Sequence, residues 1–169
     1  MKKYEFTGET KNINGHILHQ IRALMDFGNV KIGDLGGWIE SEKNLSQDGN
    51  AWIYGNARVY DRAWVYGDAR VYGNAEIYGD ARVYGGAGVY GDAEVYRTRD
   101  IFWIDCIGSR NDTTTFFRTR NKQIHVECGC FSGTIDEFET TVRATHKENT
   151  HAKMYMLAIQ MAKLKLGGD

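Results

Sequence analysis

Between Asn50 and Arg97 the chain repeats one short alternation of polar and apolar positions. The hexads read NAWIYG, NARVYD, RAWVYG, DARVYG, NAEIYG, DARVYG, GAGVYG and DAEVYR, with no insertion between them. Residues two apart share a face of a strand, so Ala and the following Val or Ile point one way. The variable residue and Tyr point the other way. Gly reaches positive φ and Asx tolerates it, so each junction between hexads turns a corner. Ala and Val are too small to face a second sheet; they suit the cramped interior of a narrow solenoid. A ninth, degenerate copy, Asn44 to Gly49, precedes the eight.

The flanks follow other rules. Asn14-Gly15 between two apolar runs is a two-residue hairpin signal. A solenoid's open end must be covered, and Trp38 is the expected plug. Beyond Arg97, Ile101–Ile104 reads as an apolar strand, and Thr113–Arg118 and Gln123–Cys128 as a hairpin. Thr134 with Glu137 three residues on is a capping box, which starts a helix with Ile135, Phe138 and Val142 on one face. Asn149 caps a second helix, from about Thr150 to Lys165, with Ala152, Tyr155, Ile159 and Ala162 facing inward.

The hexads resemble the repeat of left-handed β-helices, in which three hexads make one triangular coil. That resemblance implies three coils, roughly 14 Å tall at a strand spacing of about 4.8 Å. It stacks Arg58 with Glu76 and Glu94, Trp52 with Arg70, and Trp64 with Arg82; the Trp–Arg neighbours are expected to form cation–π pairs. It also lines up outer columns: Tyr54, Tyr72 and Tyr90; Tyr60, Tyr78 and Tyr96; Tyr66 and Tyr84. Proteins of this family commonly trimerise side by side, so a homotrimer is expected, with the first two columns as candidate interfaces. The run from Asp26-Phe27 through Gly36-Gly37-Trp38-Ile39 to Trp52-Ile53-Tyr54 resembles the entry region of bacterial and phage hexapeptide-repeat proteins that carry transferase labels. GSRNDTTTFF (Gly108 to Phe117), CGCFSGTIDEF (Cys128 to Phe138) and the Thr145-His146 region resemble a C-terminal module of phage and prophage proteins. The expected fold is therefore mainly β: a short, about three-coil left-handed β-helix (44–97) with an N-terminal β cap (1–43) and a small C-terminal α+β module (98–169).

Composition narrows the function. With 169 residues and a formal net charge of -1, general nucleic-acid binding is not expected. Three cysteines suggest no disulfide framework, and no run is long and apolar enough for a membrane span, so a cytoplasmic location is expected. Hexapeptide acyltransferases generally use a His as general base. Here the coils hold none: the five are His16, His19, His125, His146 and His151. No catalytic residue is assigned. Cys106, Cys128, Cys130 and His125 are potential zinc ligands, but strand parity separates His125 from the cysteines, which read better as buried small hydrophobes, and no metal or cofactor is predicted. Cys106 or Ser109 as nucleophile lacks an elbow-type motif.

The most informative stretch is Gly108-Ser-Arg-Asn-Asp-Thr-Thr-Thr115. Ser109, Arg110, Asn111, Thr113 and Arg118 form a candidate phosphate- or anion-binding set, and Trp103 and Phe116 are candidates for stacking on a base. A polar loop satisfying its own backbone is the competing reading. The expected function is a non-catalytic trimeric binding protein, phage-encoded, that sequesters a nucleotide-type signal or blocks a host defence protein. The alternatives are a hexapeptide-family acyltransferase and an interaction scaffold.

Overall fold

The computed structural model describes residues 1–167. It opens with an antiparallel hairpin, β1 (Tyr4–Ile13) and β2 (His16–Ala23), closed by Asn14 and Gly15 at φ 51° and 93°. β2 then pairs antiparallel with β3 (Leu35–Ile39), and a short 3-10 turn, Glu42–Asn44, leads into the coils.

Each hexad contributes one two-residue strand: β4 (Trp52–Ile53), β5 (Arg58–Val59), β6 (Trp64–Val65), β7 (Arg70–Val71), β8 (Glu76–Ile77), β9 (Arg82–Val83), β10 (Gly88–Val89) and β11 (Glu94–Val95). They pair in parallel three hexads apart and so build three walls: β3-β5-β8-β11, β4-β7-β10 and β6-β9. The expected ladders are present, with Arg58 beside Glu76, Glu76 beside Glu94, Trp52 beside Arg70 and Trp64 beside Arg82. Leu45 of the degenerate copy bridges to Val65 and is buried. The Ala and the Val or Ile of all eight hexads are at most 1% exposed, so the interior is a column of small side chains. Each buried Val contributes about 1.5–3 kcal/mol by leaving water. The tyrosines stack outside at ring-centroid spacings of 4.2 and 4.3 Å for Tyr54/Tyr72/Tyr90, and 5.2 and 5.1 Å for Tyr60/Tyr78/Tyr96.

Both ends are closed by aromatic and aliphatic side chains. At the N-terminal end Tyr4, Ile21 and Phe27 cover Trp52, which is fully buried and edge-on to Tyr4 and Phe27. This corrects two expectations. Trp52 is roofed by the cap and has no face left for Arg70. Trp38 is not the plug: it lies on the side of the prism with Leu18 and Tyr60, and the Lys11 ammonium sits 3.8 Å from its ring. The close approach explains Gly36-Gly37. A Cβ on Gly36 would fall 2.6 Å from Ile21 and Trp52, and one on Gly37 would fall 2.6 Å from the Ala57 carbonyl oxygen. Lys3, 2% exposed, donates to the carbonyls of Asp48, Gly49 and Ala51, and burial pulls its ammonium down to about 8.

Past the coils, β12 (Ile101–Ile107), β13 (Asp112–Arg118), β14 (Ile124–Cys128) and β15 (Phe131–Thr134) form an antiparallel sheet in chain order. β13 is buried on both faces. Phe117 enters the solenoid core with Ile101, whereas Phe116 enters a second core under α1 (Ile135–His146) and α2 (Thr150–Leu166). Thr134 and Asn149 cap these helices, accepting from the backbone N–H of Glu137 and Ala152. Of the three cysteines, Cys106 and Cys130 are exposed and Cys128 is half-buried, contrary to the expectation that they are buried. Among the described residues no helix is long and apolar enough to cross a membrane.

The N-terminal hairpin is tied to the coils by one charged clasp. His16 stacks on Tyr60 at 4.7 Å, its Nδ1 is 3.0 Å from Glu40 Oε1, and its Nε2 is 3.7 Å from Asp61 Oδ1. The hydrogen bond and charge of Glu40 raise the His16 pKa above its ordinary 6.5. Burial opposes ionisation of Glu40, but its bonds to His16 and to the Asp61 N–H bring it below its ordinary 4.5. The His16 contribution to stability is full below the unfolded value of 6.5 and is lost as pH rises through its raised folded value. The Glu40 contribution is full above 4.5 and is lost as pH falls through its lowered value, so the clasp is strongest between 4.5 and 6.5. Urea unfolding of wild type and His16→Gln should therefore show a stability gap at about pH 5.5 that narrows by about pH 8.5. An equal gap at both values would show that the clasp does not depend on the imidazolium.

Candidate functional site

The C-terminal sheet closes the last coil, with β13 running past both β10 and β11, and the repeat makes room for it. In the hexad GAGVYG the corner and the variable position are both glycine. A Cβ on Gly86 would fall 2.5 Å from Thr113 Oγ1, and the Gly88 N–H donates to Thr115 Oγ1 at 3.1 Å. Where the two surfaces separate, they leave a cleft of about 240 Å³. The coil side supplies Asp68, Arg70, Tyr72 and Tyr90; the module side supplies Asp112, Thr113, Thr115, Glu127 and Gly129.

Several of these groups are held in place. Asp68 accepts from Asn50 Nδ2 at 2.8 Å, Thr113 Oγ1 donates to Asp105 at 2.6 Å, and Glu127 accepts from Ser132. Burial and the neighbouring Tyr72 push Tyr90 up to about 12, so its phenol is a neutral hydroxyl near neutral pH. Arg70 lines the cleft and forms no ion pair among the described residues. Arg110 lies against Gly129 at its edge, its Nε 3.1 Å from where a Cβ would be. The cleft thus sets three carboxylates against Arg70 and the bordering Arg110, with hydroxyls between.

The sequence-derived candidates scatter. Thr113 lines the cleft and Arg110 borders it. Ser109 and Asn111 are exposed on the turn and lie outside the lining. Gly108, at φ 73°, is fixed by packing: any Cβ there would collide with the Tyr155 hydroxyl. Arg118 points away, its Nε donating to the Leu166 carbonyl at 2.8 Å and so holding the end of α2. Phe116 is fully buried and has no face for a base. Trp103 is half-buried, edge-on to Tyr84 at 4.5 Å. Among the column residues Tyr60 is 4% exposed, shut in beneath the hairpin and donating to Glu76, so it is unavailable to a partner. Tyr78 donates to Glu94, and Tyr72 and Tyr90 line the cleft.

The structure adds Asp68, Arg70 and Glu127, which sequence reasoning did not assign to a site, and moves Tyr72 and Tyr90 from an expected subunit interface to the cleft. The signal was the paired glycine of GAGVYG, since both positions carry side chains in the other hexads. A second polar groove, about 490 Å³, lies on the β5-β8-β11 wall between the two hairpin tips and is lined by Asn12, Asn14, Arg58, Glu76, Glu94 and Arg120. His16, Glu40 and Asp61 place ligand atoms within 4.8 Å of one another, close enough to hold a metal ion. Both ring nitrogens of His16 already face carboxylates, however, and an imidazolium balances that charge without an ion.

The comparisons with known proteins bear on the coils. The family model described as the YdcK beta solenoid repeat matches residues 51–67 and 75–91. Over 51 residues the chain is 47% identical to a protein of Escherichia coli (strain K12) described as the uncharacterized acetyltransferase YdcK. The aligned stretch is 30% of this chain and only 15% of that protein. Residues 51–67 and 75–91 are thus similar to β-solenoid repeats of the YdcK type, and the coils they belong to are those of a left-handed β-helix.

Proposed function

We propose that the chain is a non-catalytic binding protein whose cleft takes a small, hydroxyl-rich ligand of the nucleoside or nucleoside monophosphate class. The observation behind this reading is Arg70, a guanidinium with no ion pair, facing a cleft otherwise lined by hydroxyls and carboxylates. Arg70 suits one anionic group. Asp68, Asp112 and Glu127 accept hydroxyl or amine protons, and the hydroxyls of Tyr72, Tyr90 and Thr113 serve in either role. The same three carboxylates disfavour a polyphosphate, which narrows the nucleotide expectation. A volume of 240 Å³ suits one ring system with its sugar, not a dinucleotide. Sequestration of such a signal from a host defence system is the biological role this reading assigns; the resemblance of the C-terminal module to phage proteins suggests the setting, and the polar cleft is what favours sequestration over blocking a defence protein. Calorimetry with adenosine, its monophosphate and its triphosphate is the test. The monophosphate should bind most tightly, and Arg70→Ala should weaken it about tenfold with little change for adenosine. Silence from all three, or binding indifferent to Arg70→Ala, would remove the cleft from consideration.

The expected homotrimer moves to the third wall. Trp64 and Tyr84 are 39% and 38% exposed on β6-β9, and Trp64 stacks on Tyr66 at 4.0 Å. Tyr60 is closed off, and the Tyr72/Tyr90 edge faces the cleft, so this aromatic surface is the better interface. Native mass spectrometry should give a trimer that Trp64→Glu reduces to monomer; a wild-type monomer would end the proposal.

Acyl transfer is the second reading. It draws on the likeness of the coils to a protein described as an acetyltransferase, and on His16, which the hairpin carries to the coil surface with Glu40 at its Nδ1. It predicts acetyl-CoA turnover with an amine acceptor that disappears in His16→Gln. Turnover unchanged by that substitution would exclude His16 as the base, and a wild type without turnover would leave the binding reading alone.

A further inference from the structure

The sequence of α2, THAKMYMLAIQMAKLKL, is apolar on two opposed faces. One face packs on the module: Ala152, Tyr155, Ala158, Ile159, Ala162 and Leu166 are buried. The other carries Leu157, Met161 and Leu164, and Met154, half-buried against the module core, continues the line at successive spacings of three, four and three residues. Such spacing keeps side chains on one stripe of a helix and is the seam of a two-helix coiled coil. Here the stripe meets solvent. Leu157 is 61% exposed, Met161 52% and Leu164 83%. A single exposed leucine needs no explanation, but an aligned row of large apolar side chains marks a surface that is covered in use.

Charge selects the occupant. At 100° per residue, Lys153 and Lys165 fall on the two sides of this stripe, in the positions that flank a coiled-coil seam. The helix contains no Asp or Glu. Lys163, the remaining lysine, is held by Asp136 and Glu139 of α1, and the Lys165 ammonium lies 5.6 Å from the Phe102 ring centroid, whereas Lys153 forms no ion pair among the described residues. A second copy of α2 would bring the lysines of both helices to one seam with no carboxylate of α2 to face them. A lipid surface would suit a wider apolar face than this narrow stripe. Methionine at two of the four positions suits a repackable protein contact.

We infer that α2 is a docking helix for a protein partner that presents an acidic amphipathic helix, with Leu or similar side chains on its seam and Glu or Asp beside it. The cleft between the coils and the module takes no part, so this holds whatever that cleft binds.

The test uses the full chain and two labelled synthetic helical peptides. Both carry Leu at the seam positions; one has Glu at the flanking positions and its twin has Lys. Fluorescence anisotropy should show the Glu peptide binding about tenfold tighter than the Lys peptide, with the preference shrinking at high salt. Leu157→Lys should weaken the Glu peptide by about tenfold or more, and the high exposure of Leu157 leaves the module core untouched, which circular dichroism checks. Lys153→Glu combined with Lys165→Glu keeps the apolar stripe and should reverse the preference to the Lys peptide. The inference fails if neither peptide binds, if both bind alike, or if the double charge reversal changes nothing. It also fails if the chain ignores the peptides but sediments with vesicles of phosphatidylserine in phosphatidylcholine, or if wild type self-associates through this face and Leu157→Lys disperses it.

Discussion

The coils are joined by parallel ladders, in which each strand both donates to and accepts from its neighbour. Trp52, Arg58 and Trp64 donate through their backbone N–H groups to the carbonyls of Ala69, Ala75 and Ala81, one coil further on. Each end of the prism is therefore an open ladder edge whose backbone groups need partners. They include the carbonyls of Gly49 and Ala51 at the N-terminal end and that of Asp92 at the C-terminal end. A buried group left unsatisfied costs about 1–3 kcal/mol, and an exposed ladder end invites pairing with another chain. The N-terminal segment answers with donors. Lys3 reaches three first-coil carbonyls, the Tyr4 hydroxyl donates to Leu45, and the Asn44 amide donates to Asp61 and Ala63. At the other end Thr115 offers its hydroxyl oxygen to Gly88. The C-terminal module supplies both halves, since the Arg120 N–H also donates to the Asp92 carbonyl, and each cap is thus fitted group by group to the ladder end it covers.

That requirement also places the cleft. β13 must come close enough to the last coil for Thr115 to reach Gly88, so side chains between them have to go, and Gly86 and Gly88 stand where the other hexads carry larger side chains. One coil earlier the wall keeps its side chains, Asp68 and Arg70, so the sheet cannot follow it down. The space between close contact and full side chains is the cleft, and it is a by-product of ending a solenoid with a sheet. The groups that line it then come from two sources with no sequence proximity, Arg70 and Tyr72 from the coil and Asp112, Thr113, Thr115 and Glu127 from the module.

What could be read from the sequence follows from how far periodicity extends. Inside the coils the environment repeats every eighteen residues, so Ala57 or Val71 meets the same surroundings as its copies, and its burial and register follow from the pattern. At the ends that symmetry breaks. Trp52 occupies the same outward position as Trp64, yet one is fully buried and the other 39% exposed, and only the chain folded above Trp52 makes the difference. The same limit misplaced Trp38. In β13 alternation gives no guide to exposure at all, because Phe116 and Phe117 point to opposite faces and each enters a core. Gly108 looked like freedom for a ligand and is instead clearance for Tyr155, a contact 47 residues away in the chain.

The likeness to known proteins follows the same division. The matched repeats, 51–67 and 75–91, contain the glycines and Tyr90 of the cleft wall but not Asp68, Arg70 or Tyr72, and nothing of the module. Interior positions admit only small residues, since an Ala-Val column leaves no room for others, so unrelated solenoids of this kind converge on similar hexads whatever their outer faces do. Similarity there reports the geometry of the prism. The residues free to differ are the outward ones and the caps, and in this chain those are the positions that carry an unpaired guanidinium, three carboxylates and an exposed helix seam. Fold and chemistry are thus written in alternate residues of the same strands: one set is dictated by packing, and the other is open to selection by a ligand or a partner.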